Sequence, residues 1–280
     1  MRSSALAGRR KIGCRLVDCS VVAAAQVDDR GEWQLQKLSC TSGAALAFLH
    51  LAYDLYLLAH HESLPKKLVP RLKNPGQFQG ARHELYVASL CIRAGFDIKH
   101  EDESDVTKRH PEFLAKHRRT KQLLWVEAKS RHRPGVLCQP GVPQIVEPRA
   151  VVNGLLRDAA KKAPNGPYAV FVDVNLPSCG MGPTLDAPWC QECFETFAAC
   201  GKTSNGAREP FNLGVFTTNP HHFVEDQIEL PPRRWFISWG QSPQHALANR
   251  DEIVKDLLNA LKTYDTIPDD FPEASTMLVC

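Results

Sequence analysis

Residues 122–129 alternate in the two-residue period of a strand, and one row changes character half-way along. Leu124, Val126 and Ala128 fall on one face. Leu123 and Trp125 begin the other, which turns ionic at Glu127 and Lys129. An unpaired carboxylate or ammonium among apolar neighbours costs on the order of several kcal/mol, so this row predicts a paired or ligand-bound site. Pro111-Glu112-Phe113 opens a preceding strand, and His117-Arg118-Arg119-Thr120-Lys121 makes a polar, basic turn between the two.

Upstream, the spacing predicts a helix over 78–94 closed by Gly95. Projected at about 100° per residue, Ala81, Leu85, Ala88, Cys91 and Ile92 share an apolar arc, with Val87 at its edge. Arg82, Tyr86, Ser89 and Arg93 lie opposite. Glu84 falls inside the apolar arc, where a carboxylate needs a cation or a proton.

The remaining pattern predicts two strands within 14–38 around the turn Asp28-Asp29-Arg30-Gly31. A buried helix at about 43–61, with Ser42 as N-cap, and a basic connector over 65–75 come next. After the hairpin come a Pro/Gly-rich loop over 133–146 and a helix over 148–163, whose apolar face carries Val151, Val152, Leu155 and Ala159. Lys162 projects on that side and reads as a lysine lying along apolar surface, with a phosphate contact from within the core layer as the alternative. An apolar strand over 168–174 follows, with Asp173 as a strand-end residue. Then come a helix from Pro188 with the stripe Cys190, Cys193, Phe194 and Phe197, strands at 212–217 and 235–239, and a helix at about 252–261. Alternating helices and strands predict an α/β fold, and the tight hairpin makes its sheet mixed. The expected organisation is an N-terminal hairpin and helical extension over 1–76, one domain over 77–265 and a loose tail over 266–280.

At 280 residues and 43% hydrophobic, the chain is long enough to bury a full core. No run of about 18 uninterrupted apolar residues occurs, so no membrane partner is expected. Residues 1–13 lack the apolar stretch of a secretory signal. The ten cysteines are scattered, which fits a reduced, cytoplasmic setting better than a disulfide framework. Zinc at Cys179, Cys190, Cys193 and Cys200, with His221 and His222 as recruits, is the weaker alternative to core cysteines. No G-x-G-x-x-G, Walker A or G-x-S-x-G motif is present.

Three carboxylates and an amine therefore carry the candidate chemistry. Glu84, Glu112 and Glu127 are oxygen ligands of the kind Mg²⁺ takes, and Lys129 stands ready to orient water or to stabilise charge on a phosphate. The plainer alternatives are ion pairs for Glu84, Glu127 and Lys129, and a surface position for Glu112.

Glu84, Pro111-Glu112 and Glu127-Ala128-Lys129 together resemble the PD-(D/E)XK, or restriction-endonuclease-like, superfamily. That pattern has an acid on the first core helix, Pro-Asp on one strand and Glu-x-Lys on the next; residues 78–174 follow its element order. Gln77 to Leu85 and Val126 to Arg131 are also similar to a group of uncharacterised bacterial proteins within it. The resemblance implies a mixed central sheet flanked by helices, a Mg²⁺- or Mn²⁺-dependent nuclease acting on DNA, and Glu84, Glu112, Glu127 and Lys129 as its site. DNA is the expected partner, and a homodimer is a further arrangement it admits. Glu112 departs from the pattern's Asp by one methylene. That departure keeps a second reading open, an inactive nucleic-acid-binding or assembly protein on the same fold.

The charge pattern agrees with a polyanion. The whole chain is only +3, yet residues 108–133 hold nine Lys/Arg against two acids, both of them candidate ligands. Lys116, Arg118, Arg119, Lys121, Arg131 and Arg133 are the expected phosphate contacts. The acidic run over 101–105 reads as a solvated loop, with Asp105 as a substitute ligand.

Overall fold

The computed structural model describes residues 25–27, 33–35, 43–61, 64–101, 110–144, 149–177, 184–200, 209–223, 233–241 and 243–265. Ser42, Asp105, Cys179 and the C-terminal tail lie outside them. The first described elements are two short antiparallel strands, β1 (Ala25–Val27) and β2 (Trp33–Leu35), as the turn signal predicts.

Six strands form the central sheet: β3 (Phe96–His100), β4 (Phe113–His117), β5 (Leu123–Ser130), β6 (Tyr168–Asp173), β7 (Leu213–Thr218) and β8 (Arg234–Trp239). They lie in sequence order across the sheet. β3, β4 and β5 are antiparallel, β5, β6 and β7 parallel, and β8 antiparallel to β7. The protein is thus α/β with a mixed, open sheet.

Helices cover both faces. On one lie α1 (Gly43–His61), α2 (Leu68–Leu72), α3 (Pro75–Arg93) and α6 (Arg250–Lys262). On the other lie α4 (Asn153–Ala160) and α5 (Pro188–Cys200). The even residues of β5, Leu124, Val126 and Ala128, face the α3 layer, and Trp125 packs toward α4. β6 and β7 are buried on both faces, which is why they read as continuous apolar runs. Burying each Val or Phe there stabilises the fold by about 1.5–3 kcal/mol.

α3 starts at Pro75, three residues before the expected 78. Asn74 caps it by accepting from the Gly76 N–H at 3.0 Å, and Pro75 occupies the first turn. Gly95, at φ +83°, ends it in the left-handed region.

Three local expectations are corrected. Val151 adopts φ 49° and is exposed, so α4 begins at Asn153 rather than 148. Glu192 of α5 accepts from the Ala150 N–H at 2.9 Å, which holds that approach out of helical register. Phe194 is exposed and outside the α5 stripe, while Cys190, Cys193 and Phe197 are buried. The polar face of α3 is not solvated: Arg82, Tyr86 and Ser89 are buried, because α1 packs over them. By length and composition α1 is apolar enough to cross a membrane, but here His50, Asp54 and Leu58 are buried in the protein.

Candidate functional site

The start of β4 and the last half of β5 bring the predicted residues together. The Glu112 N–H donates to the Val126 carbonyl at 3.0 Å, and Phe113 pairs with Val126 in the antiparallel register. Glu112 therefore lies beside Glu127. The Glu127 carboxylate is completely buried. Its Oε1 lies 2.5 Å from Lys129 Nζ and 2.7 Å from Lys162 Nζ, and Oε2 has no hydrogen-bond partner. Lys162 also reaches Glu112 Oε1 at 3.5 Å.

Glu84 approaches from α3. Glu84 and Glu112 line one small cavity of about 20 Å³ with Pro65, Leu68, Ala88, His100 and Phe113, room for about a single water or ion. Arg71 of α2 grips the Glu84 carboxylate with both terminal nitrogens, at 2.6 and 2.5 Å. Burial and then the charges of Glu84 and Glu127 push the Glu112 carboxyl up to about 8, against the opposing pull of Lys162 and Lys129. Burial alone would lower Lys162, but Glu112 and Glu127 more than offset it and hold its ammonium above its usual range. Three carboxylates thus face three cationic side chains. Oxygen-only donors with an unpartnered buried Oε2 suit a hard divalent cation.

Arg71 and Lys162 complete the charge balance. Arg71 was not legible as a site residue, since it sits in a proline-bounded connector without a periodic pattern. Lys162, two residues beyond α4, reads in the sequence as a phosphate contact at most and not as a partner of the carboxylates. A third contribution is positional. Gln79 donates to the carbonyls of Arg133 and Val136, each at 2.7 Å, and accepts from the Arg133 N–H at 2.8 Å. Asn175 also donates to Gln79 Oε1 and to the Arg131 carbonyl, at 3.1 and 2.8 Å. These bonds tie the chain leaving β5 to α3 and β6. Gly135 completes the bend at φ +73°, where a Cβ would meet the Pro143 backbone at 2.3 Å.

The six expected phosphate contacts fall into two groups. Arg131 and Arg133 follow Lys129 at the end of β5, where Arg131 donates to the Arg149 carbonyl at 2.9 Å and Arg133 is buried near the Phe223 ring. Lys116, Arg118, Arg119 and Lys121 lie at the hairpin end, and from Lys121 to Lys129 the strand spans about 26 Å. There Arg118 pairs with Asp97 at 2.7 Å, and Arg119 with Asp256 at 2.8 Å and with Glu252. Asp173, at the end of β6, accepts from the Asn175 N–H at 3.0 Å and from the Ser130 hydroxyl at 3.4 Å.

Among the described residues, the group whose ligand atoms all lie within 4.8 Å of one another is His117 with Glu252 and Asp256; Glu84, Glu112 and Glu127 are not drawn that close together. Arg119 already pairs with both of its acids, and His117 hydrogen-bonds Asp256 at 3.1 Å. Cys190 and Cys193 pack into the α4–α5 layer, whereas His221 meets the His222 and His50 rings edge-on in the layer against α1. The zinc alternative does not assemble from these described residues. A groove of about 660 Å³ along the outer face of α6 beside Trp239 lies away from the carboxylates. Its lining lacks the converging buried charges that make the smaller cavity chemically interesting.

No family model, curated protein or solved structure matches the chain.

Proposed function

We propose that the protein is a divalent-cation-dependent nuclease of the restriction-endonuclease-like class, hydrolysing phosphodiester bonds in DNA. The single supporting observation is that Glu112 links the others: it shares one small cavity with Glu84 of the preceding helix and lies beside Glu127, which pairs with Lys129, on the next strand. Glu84, Glu112 and Glu127 would hold Mg²⁺ or Mn²⁺, and Glu127 Oε2 is the donor already free to do so. When bound, the ion supplies Lewis acidity toward a phosphoryl oxygen and a water that ionises near neutral pH.

The chain's own groups do the rest. Glu127 fixes the Lys129 ammonium, which donates a hydrogen bond to the attacking water or to the phosphoryl oxygen that gathers charge. Water adds to phosphorus, the ester P–O bond breaks, and the leaving alkoxide takes up a proton. Arg131, at the end of the same strand, is placed for the flanking phosphate.

One observation favours a second reading, a nucleic-acid-binding protein that has lost catalysis. Each carboxylate already meets a cationic side chain: Arg71 on Glu84, Lys129 and Lys162 on Glu127, Lys162 on Glu112. Such a cluster is electrically complete without an ion, and Glu112 replaces the shorter Asp. Incubating the full chain with plasmid and oligonucleotides in Mg²⁺, Mn²⁺ or EDTA separates the two. Products that require the cation support the nuclease, and retention of DNA without products supports the second reading.

A further inference from the structure

A second concentration of buried polar groups lies on the other side of α3, apart from the carboxylate site. α1 contributes His50 and Asp54; α3 contributes Arg82, Tyr86 and Ser89. The 3-10 turn Pro220–Phe223 contributes His221 and His222, and Arg233 precedes β8. Tyr264, just after α6, closes the layer. The layer sits against the carboxyl ends of the parallel strands β6 and β7, at Asp173 and Thr217. In open α/β sheets, that end of the strands is where small ligands bind.

Arg82 is 4% exposed, yet its Nε and Nη2 have no hydrogen-bond partner, and it makes no ion pair among the described residues. Arg233 is 7% exposed. Its Nη2 reaches Asp265 at 3.2 Å and His50 Nδ1 at 3.4 Å, but Nε and Nη1 have no partner. Its guanidinium lies over the Tyr264 ring at 4.0 Å and the Tyr86 ring at 5.0 Å. His221 Nε2 and both ring nitrogens of His222 are also buried without partners, while the Tyr86 hydroxyl lies against Arg233 and the Ser89 hydroxyl against Asp54.

A guanidinium does not lose its proton in a protein, so burial must be met by an opposite charge. Water would satisfy these N–H groups but not the charge. Asp265 pairs with Arg233. Asp54 and Asp173 act on Arg82 through space, but neither makes an ion pair with it: Asp54 is taken by the Tyr264 hydroxyl at 2.5 Å, and Asp173 by Ser130 and Asn175. Among the described residues, Arg82 is the guanidinium left without a paired carboxylate. A divalent cation is disfavoured, because both guanidiniums act on the same histidines and keep them neutral, after burial itself. Forked donors backed by hydroxyls and neutral imidazoles are the chemistry that recognises phosphate or a similar oxyanion.

We propose that the layer between α1, α3 and the carboxyl ends of β6 and β7 is a binding site for a phosphate-type oxyanion, with Arg82 and Arg233 as its charge partners.

The test is thermal unfolding and calorimetry on the full chain, with inorganic phosphate against chloride at equal ionic strength. Phosphate should raise Tm beyond chloride and bind saturably. Arg82→Gln should weaken that binding at least tenfold, while Lys129→Ala, which alters the carboxylate site, should leave it within twofold. If Arg82→Gln does not fold, Arg82→Lys and Ser89→Ala are measured instead, each expected to weaken binding without abolishing it. Adenosine monophosphate and a 5′-phosphorylated oligonucleotide identify the source: tighter binding than inorganic phosphate assigns the site to a nucleotide's phosphate, equal binding to the free ion. Equal behaviour of phosphate, both nucleotide probes and chloride would overturn the proposal. So would phosphate affinity unchanged by the arginine substitutions.

Discussion

The Lys162 ammonium lies 2.7 Å from Glu127 Oε1 and 3.5 Å from Glu112 Oε1, bridging two carboxylates that different strands supply. It occupies the position between acids that a divalent cation would share. Lys162→Met should therefore destabilise the cation-free protein by about 1–3 kcal/mol, since Glu112 loses its ion-pair partner while Glu127 loses one of two, whereas Lys129 pairs with Glu127 alone. Millimolar Mg²⁺ should restore most of that loss in urea unfolding. A loss that Mg²⁺ leaves untouched would show that the lysine's role is purely structural.

Lys129→Ala should lower cleavage by about 10²–10³-fold, the usual cost of removing one oriented donor from developing charge. Folding and DNA retention should stay close to wild type, because Lys162 still neutralises Glu127. Full activity in this variant would remove Lys129 from the chemistry.

Arg71 holds both oxygens of Glu84. Glu84→Gln keeps the shape and one hydrogen bond while deleting the charge, so it should shift the Mg²⁺ dependence upward by about tenfold, or about 1.4 kcal/mol of binding. Circular dichroism and Tm should change little. A collapse of the fold would assign Glu84 and Arg71 to a structural ion pair alone.

Gln79 makes three hydrogen bonds to the backbone of residues 133–136. Gln79→Ala should cost about 2–3 kcal/mol, as buried backbone groups lose their partners. Hydrogen exchange should rise first over residues 131–136. Uniform exchange across the sheet would contradict this tethering role.

Asp54 gives the pH dependence a definite sign. Burial first, against the hydrogen bond from Tyr264, raises its carboxyl from 3.8 to about 6. The folded protein then holds a proton that the unfolded chain has released, so stability falls as pH rises from about 4 to about 6. Asp54→Asn keeps an acceptor for Tyr264 and should flatten that fall, leaving the variant more stable at pH 7 by on the order of 2 kcal/mol. Unchanged pH dependence in urea unfolding would contradict the assignment.

The central hairpin and the mixed sheet were legible because β5 shows its two faces in sequence, and because Glu112 and Glu127 must neighbour each other once the hairpin forms; the order of the strands and β3 at the sheet's edge were not. Glu84 was legible as an acid on an apolar arc. The burial of Arg82, Tyr86 and Ser89 was not, since periodicity separates an apolar from a polar face but does not say that α1 will cover the polar one. Arg71, and the pairing of Lys162 with Glu112 and Glu127, were hidden for a related reason. Cations at the ends of short helices look alike in sequence whether they meet solvent or a carboxylate.

The central claim is one divalent ion held by three acids, and calorimetric titration of the full chain with Mn²⁺ tests it most directly. The account predicts one saturable site per chain, weakened at least tenfold by Glu127→Gln and competed by Mg²⁺. Absence of saturable binding, or binding indifferent to Glu127→Gln, would contradict it.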